Sequence, residues 1–344
     1  MIARHIFDSD HDVFRDAVRK FLMDEAYEQH AEWEKEGQID RNFWYKAGEQ
    51  GMLCPGVSEE YGGVGADFRY NMVIAEEVSR LGLTGIGFSL HNDVTTPYLT
   101  NVANEAQKEK FLPRCVSGDC IVAIAMTEPG TGSDLQGIKT SAVDKGDHWE
   151  VTGNKYWCTF ADKADFIQVI CRTDTDPDTP KWAGLTSIVF EKPKGEFPLG
   201  CSGSPIPKIG YHGWKTFELA FDKAKAPKAK ESKTGGAFKS VASMLEIARA
   251  HTAARSIGLA QGALEDAIAY ANDRVQFGNP ISKFQAIRFK IATMATEIEA
   301  ARQLLYFVCD EIDSGRRCDK EAAMVKYFAS EMAERVTSEA LQIL

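Results

Sequence analysis

Eight residues at 127–134, TEPGTGSD, follow the apolar run CIVAIAM and combine glycines with hydroxyl side chains. Gly130 and Gly132 let the backbone approach a ligand without side-chain obstruction. Thr127 and Ser133 supply hydroxyls, and successive backbone N–H groups in such a turn favour an anion. Because the pattern is neither GxGxxG nor a Walker loop, it supports neither a Rossmann nor a P-loop fold. Taken alone, the loop suits a phosphate-bearing ligand or an ordinary turn between strands equally well.

Two further segments carry side chains that suit a flat, charged ligand. In GNKYWCTFADKAD (153–165), Trp157 can stack on a ring and Thr159 can hydrogen-bond the edge of that ring, although this segment alone favours a buried tryptophan. In RVQFGNPISKFQAIRFK (274–290), Arg274 offers a guanidinium fork for pyrophosphate. A surface arginine at a helix–helix turn is the alternative for that position.

Composition excludes several classes of function. The 344 residues carry a net charge of −10 and no dense basic cluster, so nucleic acid is not an expected partner. No apolar run approaches the roughly 20 residues that a membrane span needs. The eight cysteines are scattered without a CxxC pair and the seven histidines are dispersed. This usage indicates thiols in a reducing cytoplasm and no metal centre.

Helical periodicity begins near the N-terminus. In residues 11–26, apolar side chains that include Val13 and Val18 recur at helical spacing, and residues 70–82 continue the pattern. Gly82 is placed to end the second helix. The sequence therefore predicts helices up to about residue 118.

The period changes to two in the middle of the chain and returns to a helical one later. FIQVICR (166–172) and FELAF (217–221) predict strands of a small antiparallel β domain. Nine apolar positions between Phe284 and Ile312 follow a 3-4-3-4 spacing, which is typical of a long bundle helix. The lysine-rich segment 222–237 predicts a polar connector. We expect domains at 1–118, 119–234 and 235–344.

Together the three chemistry-bearing segments resemble the acyl-CoA dehydrogenases, which are FAD enzymes of acyl-CoA oxidation. IAMTEPGTGSDLQGIKT resembles the first signature of the family, NKYWCTFADKAD its flavin-facing strand, and RVQFGNPISKFQAIRFKIA the bundle segment that reaches a neighbouring subunit's cofactor. The resemblance covers essentially the whole chain in order. It implies an α+β, mainly α fold with an N-terminal helical domain, a central antiparallel β domain and a C-terminal helical bundle.

The resemblance also implies a role for each matching position. Met126 and Thr127 would contact the pyrimidine side of the flavin, with Gly132 in the same cofactor loop, and Ser133 would lie between the FAD pyrophosphate and the CoA chain. Trp157 would flank the isoalloxazine and Thr159 would bond the N5 region. The positions matching those that bind the FAD of the partner subunit are Arg274, Gln276, Phe277, Phe284 and Gln285. This last set implies a homo-oligomer, either a dimer or a tetramer.

The reaction implied by the resemblance is α,β-dehydrogenation of an acyl-CoA thioester to the trans-2-enoyl-CoA. Glu246 and Arg249 match positions that contact acyl-CoA. A carboxylate would remove the α-proton while hydrogen bonds stabilise the enolate. Most relatives carry this carboxylate on a C-terminal helix, and a minority carry it where this chain has Ala248. We therefore expect the general base beyond Leu344, in a C-terminally truncated member of the family.

Several properties stay open between alternatives. An acyl-CoA oxidase or flavin monooxygenase on the same fold, and a catalytically silent FAD- and acyl-CoA-binding homologue, compete with the dehydrogenase. An electron-transfer flavoprotein is the expected electron acceptor by resemblance. The stretch GIGFSLHND (85–93) offers no arginine for a terminal carboxylate, which favours a neutral acyl chain. The cytoplasm is the expected compartment, with the mitochondrial matrix as the alternative.

Overall fold

The computed structural model describes residues 4–228 and 234–344. The α-helices in these ranges are α1 (Ser9–Glu25), α2 (His30–Glu36), α3 (Arg41–Glu49), α4 (Phe68–Arg80), α5 (Phe88–Leu90), α6 (Thr96–Val102), α7 (Glu105–Val116), α8 (Ala237–Asp273), α9 (Gln285–Asp313) and α10 (Asp319–Ile343). The strands are β1 (Val122–Ala125), β2 (Ser141–Asp144), β3 (His148–Thr159), β4 (Phe166–Arg172), β5 (Leu185–Glu191), β6 (Cys201–Pro205), β7 (Thr216–Pro227), β8 (Val275–Gln276) and β9 (Asn279–Pro280).

The chain divides into two compact units, and the N-terminal helices are shared between them. The helical unit comprises the residues up to Gln29, Ala66–Ser89 and Glu246–Leu344. The sheet unit comprises His30–Gly65 and Leu90–Leu245.

The first helix of the helical unit begins and packs largely as its sequence predicts. The Asp8 carboxylate caps α1 by accepting the backbone N–H groups of Asp10 at 3.0 Å and His11 at 3.1 Å. Val18 is fully buried on α1, but Val13 is 70% exposed. The prediction that Val13 belongs to the buried stripe was therefore wrong, because its side chain falls outside the face that packs.

The C-terminal helices form the core of the helical unit. The predicted long helix is confirmed as α9, whose buried positions include Met294, Ile298 and Leu305. Helix α8 crosses α4 so closely that a Cβ at Gly258 would lie 2.2 Å from the Glu76 carbonyl oxygen. This contact requires glycine, because even a methyl group would overlap the α4 backbone.

The sheet unit is built on a mixed sheet. Seven of the described strands form it, in the order β1-β4-β2-β3-β7-β6 with β5 paired to β4. Strands β1 and β4 run parallel, with Val122 opposite Phe166, and β2 meets β4 in parallel through Ser141 and Arg172. The remaining pairings in this sheet are antiparallel. The antiparallel prediction thus holds for most pairings and misses these two.

Strand β7 extends further than its sequence suggests. Phe217, Leu219 and Phe221 point inward as predicted, but the strand continues to Pro227 and pairs with β3 up to His148. The prediction of a connector from residue 222 was wrong for 222–227, because ladder hydrogen bonds with β3 outweigh the polarity of the sequence. Residues 229–233 of that predicted connector lie outside the described residues.

Two further features concern the cysteines and the helices. All eight cysteines are free thiols, and seven of them are buried. Within residues 4–228 and 234–344, no helix combines the length and apolar character that crossing a bilayer would require.

Candidate functional site

The glycine-rich loop is fastened at its start to strand β3. The backbone N–H of Tyr156 donates to the Thr127 carbonyl oxygen at 2.7 Å, and Lys155 Nζ donates to the Met126 carbonyl oxygen at 2.9 Å. Both Met126 and Thr127 are half-buried. These two bonds place the end of β1 directly beside Trp157, so the structure brings together two segments that the sequence selected separately.

A buried ion pair lies under this loop, and sequence reasoning missed it. Glu128 Oε1 accepts from Lys155 Nζ at 2.9 Å and from the backbone N–H of Thr140 at 2.9 Å, while Oε2 accepts from the N–H of Lys139 at 2.8 Å. Burial alone would raise the pKa of Glu128, but the amides of Lys139 and Thr140 and the charge of Lys155 hold that pKa below its ordinary value. Glu128 therefore stays ionised near neutral pH.

The glycines at the tip of the loop, in contrast, face open space among the described residues. Gly132 and Ser133 are exposed, and a Cβ built at Gly130 or Gly132 has no heavy atom within 4 Å outside its chain neighbours. Neither glycine adopts a positive φ. Neither packing nor backbone conformation therefore requires glycine at these positions. The absence of side chains leaves space in which a ligand could approach the backbone.

Trp157 stands beside the loop in an exposed, strained conformation. Its φ is +61°, within the register shift of the β3–β7 ladder between Lys155 and Cys158. The indole is 51% exposed, so the interpretation of a buried tryptophan was wrong. The bulge, which no local pattern in the sequence signals, turns this side chain out of the sheet. Holding a tryptophan in the left-handed region costs about 1 kcal/mol, and such strain is typical of functional sites.

Thr159 lies two residues beyond Trp157, at the end of β3. Its hydroxyl is 3.3 Å from the Thr216 hydroxyl, and its side chain is half-buried. The hydrogen bond between the two hydroxyls fixes the Thr159 side chain. A hydroxyl can both donate and accept, so Thr159 can make a further hydrogen bond to the edge of a ligand.

The segment 274–285, in the helical unit, forms a small exposed hairpin. Strands β8 and β9 enclose Phe277 at φ +51° and Gly278 at φ +77°, the pair of positive φ values of a type I′ turn. The Phe277 ring is 92% exposed and approaches Phe284 edge-to-face at 6.1 Å between centroids. The other candidates here, Arg274, Gln276 and Gln285, have exposed side chains. The segment therefore presents an aromatic ring, a guanidinium group and two side-chain amides to solvent.

Glu246 and Arg249 lie one turn apart on α8. The Glu246 carboxylate accepts the backbone N–H of Cys318 at 2.8 Å and contacts the Cys318 thiol at 3.2 Å, which caps the start of α10. Arg249 is half-buried. No local pattern signals this cap, because its partners are 72 residues apart.

Comparison with known proteins identifies the family of the chain. Family models described as the N-terminal, middle and C-terminal domains of acyl-CoA dehydrogenase match residues 8–119, 123–224 and 235–344 respectively. The chain therefore belongs to the acyl-CoA dehydrogenase family, and the resemblance seen in its sequence is confirmed.

Individual relatives agree with this assignment. The mitochondrial long-chain specific acyl-CoA dehydrogenase of Mus musculus is 35% identical over 342 residues, which cover 99% of this chain and 78% of the relative. A crystal structure of an acyl-CoA dehydrogenase from Geobacillus kaustophilus superposes with a TM-score of 0.92 at 41% identity, covering 99% of this chain and 89% of that one. Butyryl-CoA dehydrogenase from Megasphaera elsdenii gives a TM-score of 0.89 at 31% identity, with 98% and 88% covered.

Proposed function

We propose that this chain is an FAD-dependent dehydrogenase that converts an acyl-CoA thioester to the trans-2-enoyl-CoA. The observation that carries the proposal is the open loop tip at Gly130 and Gly132, on a loop whose start is hydrogen-bonded to the strand that carries the exposed, strained Trp157. A flat cofactor with phosphates needs both features: an aromatic surface to lie against and backbone that it can approach closely.

The residues present fit the flavin and its pyrophosphate. Met126 and Thr127 would line the pyrimidine side, Gly132 and Ser133 would face the phosphates, and Trp157 would cover the ring. Thr159 would bond the N5 edge, where the bound cofactor supplies the hydride acceptor. The support for these roles is that all six residues lie in the sheet unit, on strand β3 or on the loop whose start accepts the Tyr156 N–H of that strand.

For the thioester, we propose that Ser133 and Arg249 contact the CoA portion. A cationic guanidinium suits the CoA phosphates or the polarised thioester oxygen. Glu246 is also proposed to line the substrate site, but its carboxylate is engaged with Cys318. We therefore do not assign Glu246 as the base that removes the α-proton. The acyl chain is proposed to be neutral, and an electron-transfer flavoprotein is proposed to reoxidise the flavin.

We further propose that the hairpin acts across a subunit interface. Arg274, Gln276, Phe277, Phe284 and Gln285 would bind the FAD of a second copy in a homo-oligomer, either a dimer or a tetramer. What supports this is that Phe277, 92% exposed at a positive φ, and the exposed side chains of Arg274, Gln276 and Gln285 lie on one short surface segment, where a second copy could reach them.

The cofactor loop can be tested with a single methyl group. Replacing Gly132 by alanine should weaken FAD binding about tenfold, equivalent to about 1.4 kcal/mol, because the methyl fills the space that the cofactor would enter. The free energy of unfolding of the apoprotein should stay within about 0.5 kcal/mol of wild type, since no heavy atom of residues 4–228 and 234–344, other than its chain neighbours, comes within 4 Å of that methyl. FAD affinity is measured by titrating apoprotein and following flavin fluorescence.

Gly210→Ala is the matched control, because Gly210 also has no positive φ and no heavy atom near a built Cβ. It should leave FAD affinity unchanged. If Gly132→Ala and Gly210→Ala bind FAD with equal affinity, the cofactor does not bind at the loop that contains Gly132.

A further inference from the structure

Lys155 is a charged residue in an unusual place. Its side chain has no exposed surface, and it lies in the middle of β3. Burying an ammonium group is costly unless hydrogen bonds and an opposite charge compensate. Glu128 and the Met126 carbonyl oxygen provide that compensation, each 2.9 Å from Lys155 Nζ. A methionine or leucine would fill the same volume without this cost. Packing alone therefore does not explain why a lysine occupies this position.

The contacts of the pair tie both ends of one loop to one strand. Lys155 holds the start of the loop through Met126 and Glu128, and Glu128 in turn holds the returning end through the backbone N–H groups of Lys139 and Thr140. The Thr140 hydroxyl donates to the Asn154 carbonyl oxygen at 3.1 Å, next to Lys155 on β3. Between these points, the loop tip at Gly130–Ser133 is exposed except for Thr131.

The same lysine stands at the beginning of the bulge that exposes Trp157. The β3–β7 register is regular at Lys155, which pairs with Leu219, and shifts before Cys158. Lys155 is thus the last regularly paired residue before the tryptophan. Any movement of its side chain would shift the loop start and the base of the indole relative to each other.

We propose that Lys155, acting through Glu128, positions the loop 126–133 against Trp157 and thereby sets FAD affinity without touching the cofactor. The proposal rests on the FAD site described above. Lys155 and Glu128 are positioning residues, and the loop backbone and the indole make the contacts.

The test compares two buried lysines of the same sheet unit. Lys155→Met removes the bonds to Met126 and Glu128, whereas Lys192→Met removes bonds from Lys192 Nζ to the carbonyl oxygens of Asp162 at 3.0 Å and Glu196 at 2.6 Å. Both variants should lower the urea midpoint of the apoprotein. Only Lys155→Met should also weaken FAD binding, by about 30-fold. Lys192→Met should keep FAD affinity within about twofold of wild type.

Flavin fluorescence provides a readout that stability alone does not change. In wild type, the indole of Trp157 against the ring should quench the fluorescence of bound FAD, and Lys155→Met should restore part of that fluorescence even at saturating FAD. Glu128→Gln is a second, independent variant: its amide oxygen can still accept from Lys155 Nζ and the Thr140 N–H, whereas the bond from the Lys139 N–H is lost, and it should weaken FAD binding about tenfold.

The outcomes separate the two claims. If wild-type protein binds no FAD, the proposed function fails. Suppose instead that wild type binds FAD. If Lys155→Met and Glu128→Gln then bind FAD as tightly as Lys192→Met does, and quench its fluorescence as strongly, the positioning role is overturned while the proposed function stands.

Discussion

Replacing Glu76 by alanine should lower the free energy of unfolding by about 3–5 kcal/mol, the range seen when one partner of a buried charge cluster is removed. Glu76 lies on α4 with its side chain 7% exposed, and it accepts from Arg4 at 3.2 Å, Arg15 at 3.1 Å and Arg302 at 3.1 Å. Without the carboxylate, the guanidinium groups of Arg15 and Arg302 stay buried with too little negative charge beside them. Urea unfolding followed by circular dichroism measures the loss.

A surface pair supplies the control for this variant. Glu297 contacts Arg335 at 3.3 Å, and both side chains are substantially exposed. Glu297→Ala should therefore change the free energy of unfolding by less than about 1 kcal/mol. If Glu76→Ala lowers the free energy of unfolding no more than Glu297→Ala does, the buried arginines are not stabilised by Glu76.

The same cluster predicts a dependence of stability on pH. Burial alone would raise the pKa of Glu76, but the charges of Arg15, Arg4 and Arg302 lower it to about 2. Because the folded pKa lies below the unfolded value, the contribution of Glu76 is present above the unfolded pKa and is lost as pH falls towards about 2. Unfolding measured between pH 6 and pH 3 should thus show a smaller decline for Glu76→Gln than for wild type.

Arg274→Ala should weaken FAD binding about 30-fold, or about 2 kcal/mol, if its guanidinium holds the cofactor pyrophosphate of a second copy. The arginine is exposed on the hairpin that carries Phe277 and Gly278. Its removal should leave the free energy of unfolding unchanged, because exposed arginines contribute little to stability. Titration of apoprotein with FAD, followed by fluorescence, gives the affinity.

Two comparisons sharpen this prediction. Arg335→Ala removes an exposed arginine from α10 and should leave FAD affinity at the wild-type value. Wild-type affinity should also fall when the chain is diluted, because a site completed by a second copy depends on association. If the Arg274→Ala variant binds FAD as tightly as wild type does, the hairpin is not part of the cofactor site.

Residues with a strong local signal were placed correctly from the sequence. The apolar spacing between Phe284 and Ile312 predicted α9, and Gly82 at φ +70° follows the end of α4 as expected. The alternation of Phe217, Leu219 and Phe221 predicted an inward-facing strand. These features depend on neighbours within one or two turns, which a single sequence displays directly.

What the sequence could not display were contacts that depend on distant pairing. Glu128 and Lys155 are 27 residues apart, and charged residues are ordinarily exposed, so their burial as a pair has no local pattern. The parallel pairing of β1 with β4 joins Val122 to Phe166 and likewise follows from tertiary packing. The exposure of Trp157 depends on a register shift against β7, which only the assembled sheet defines.

The most direct measurement is an anaerobic titration of the FAD-loaded chain with saturated acyl-CoAs of increasing length, following the long-wavelength absorbance of the flavin. A thioester that binds against the flavin should change this band saturably, at one acyl-CoA per flavin, and should bleach it wherever trans-2-enoyl-CoA forms. The chain length that gives the largest change identifies the preferred substrate. A flavin spectrum that excess acyl-CoA of every length leaves unaltered would contradict the proposed dehydrogenase function.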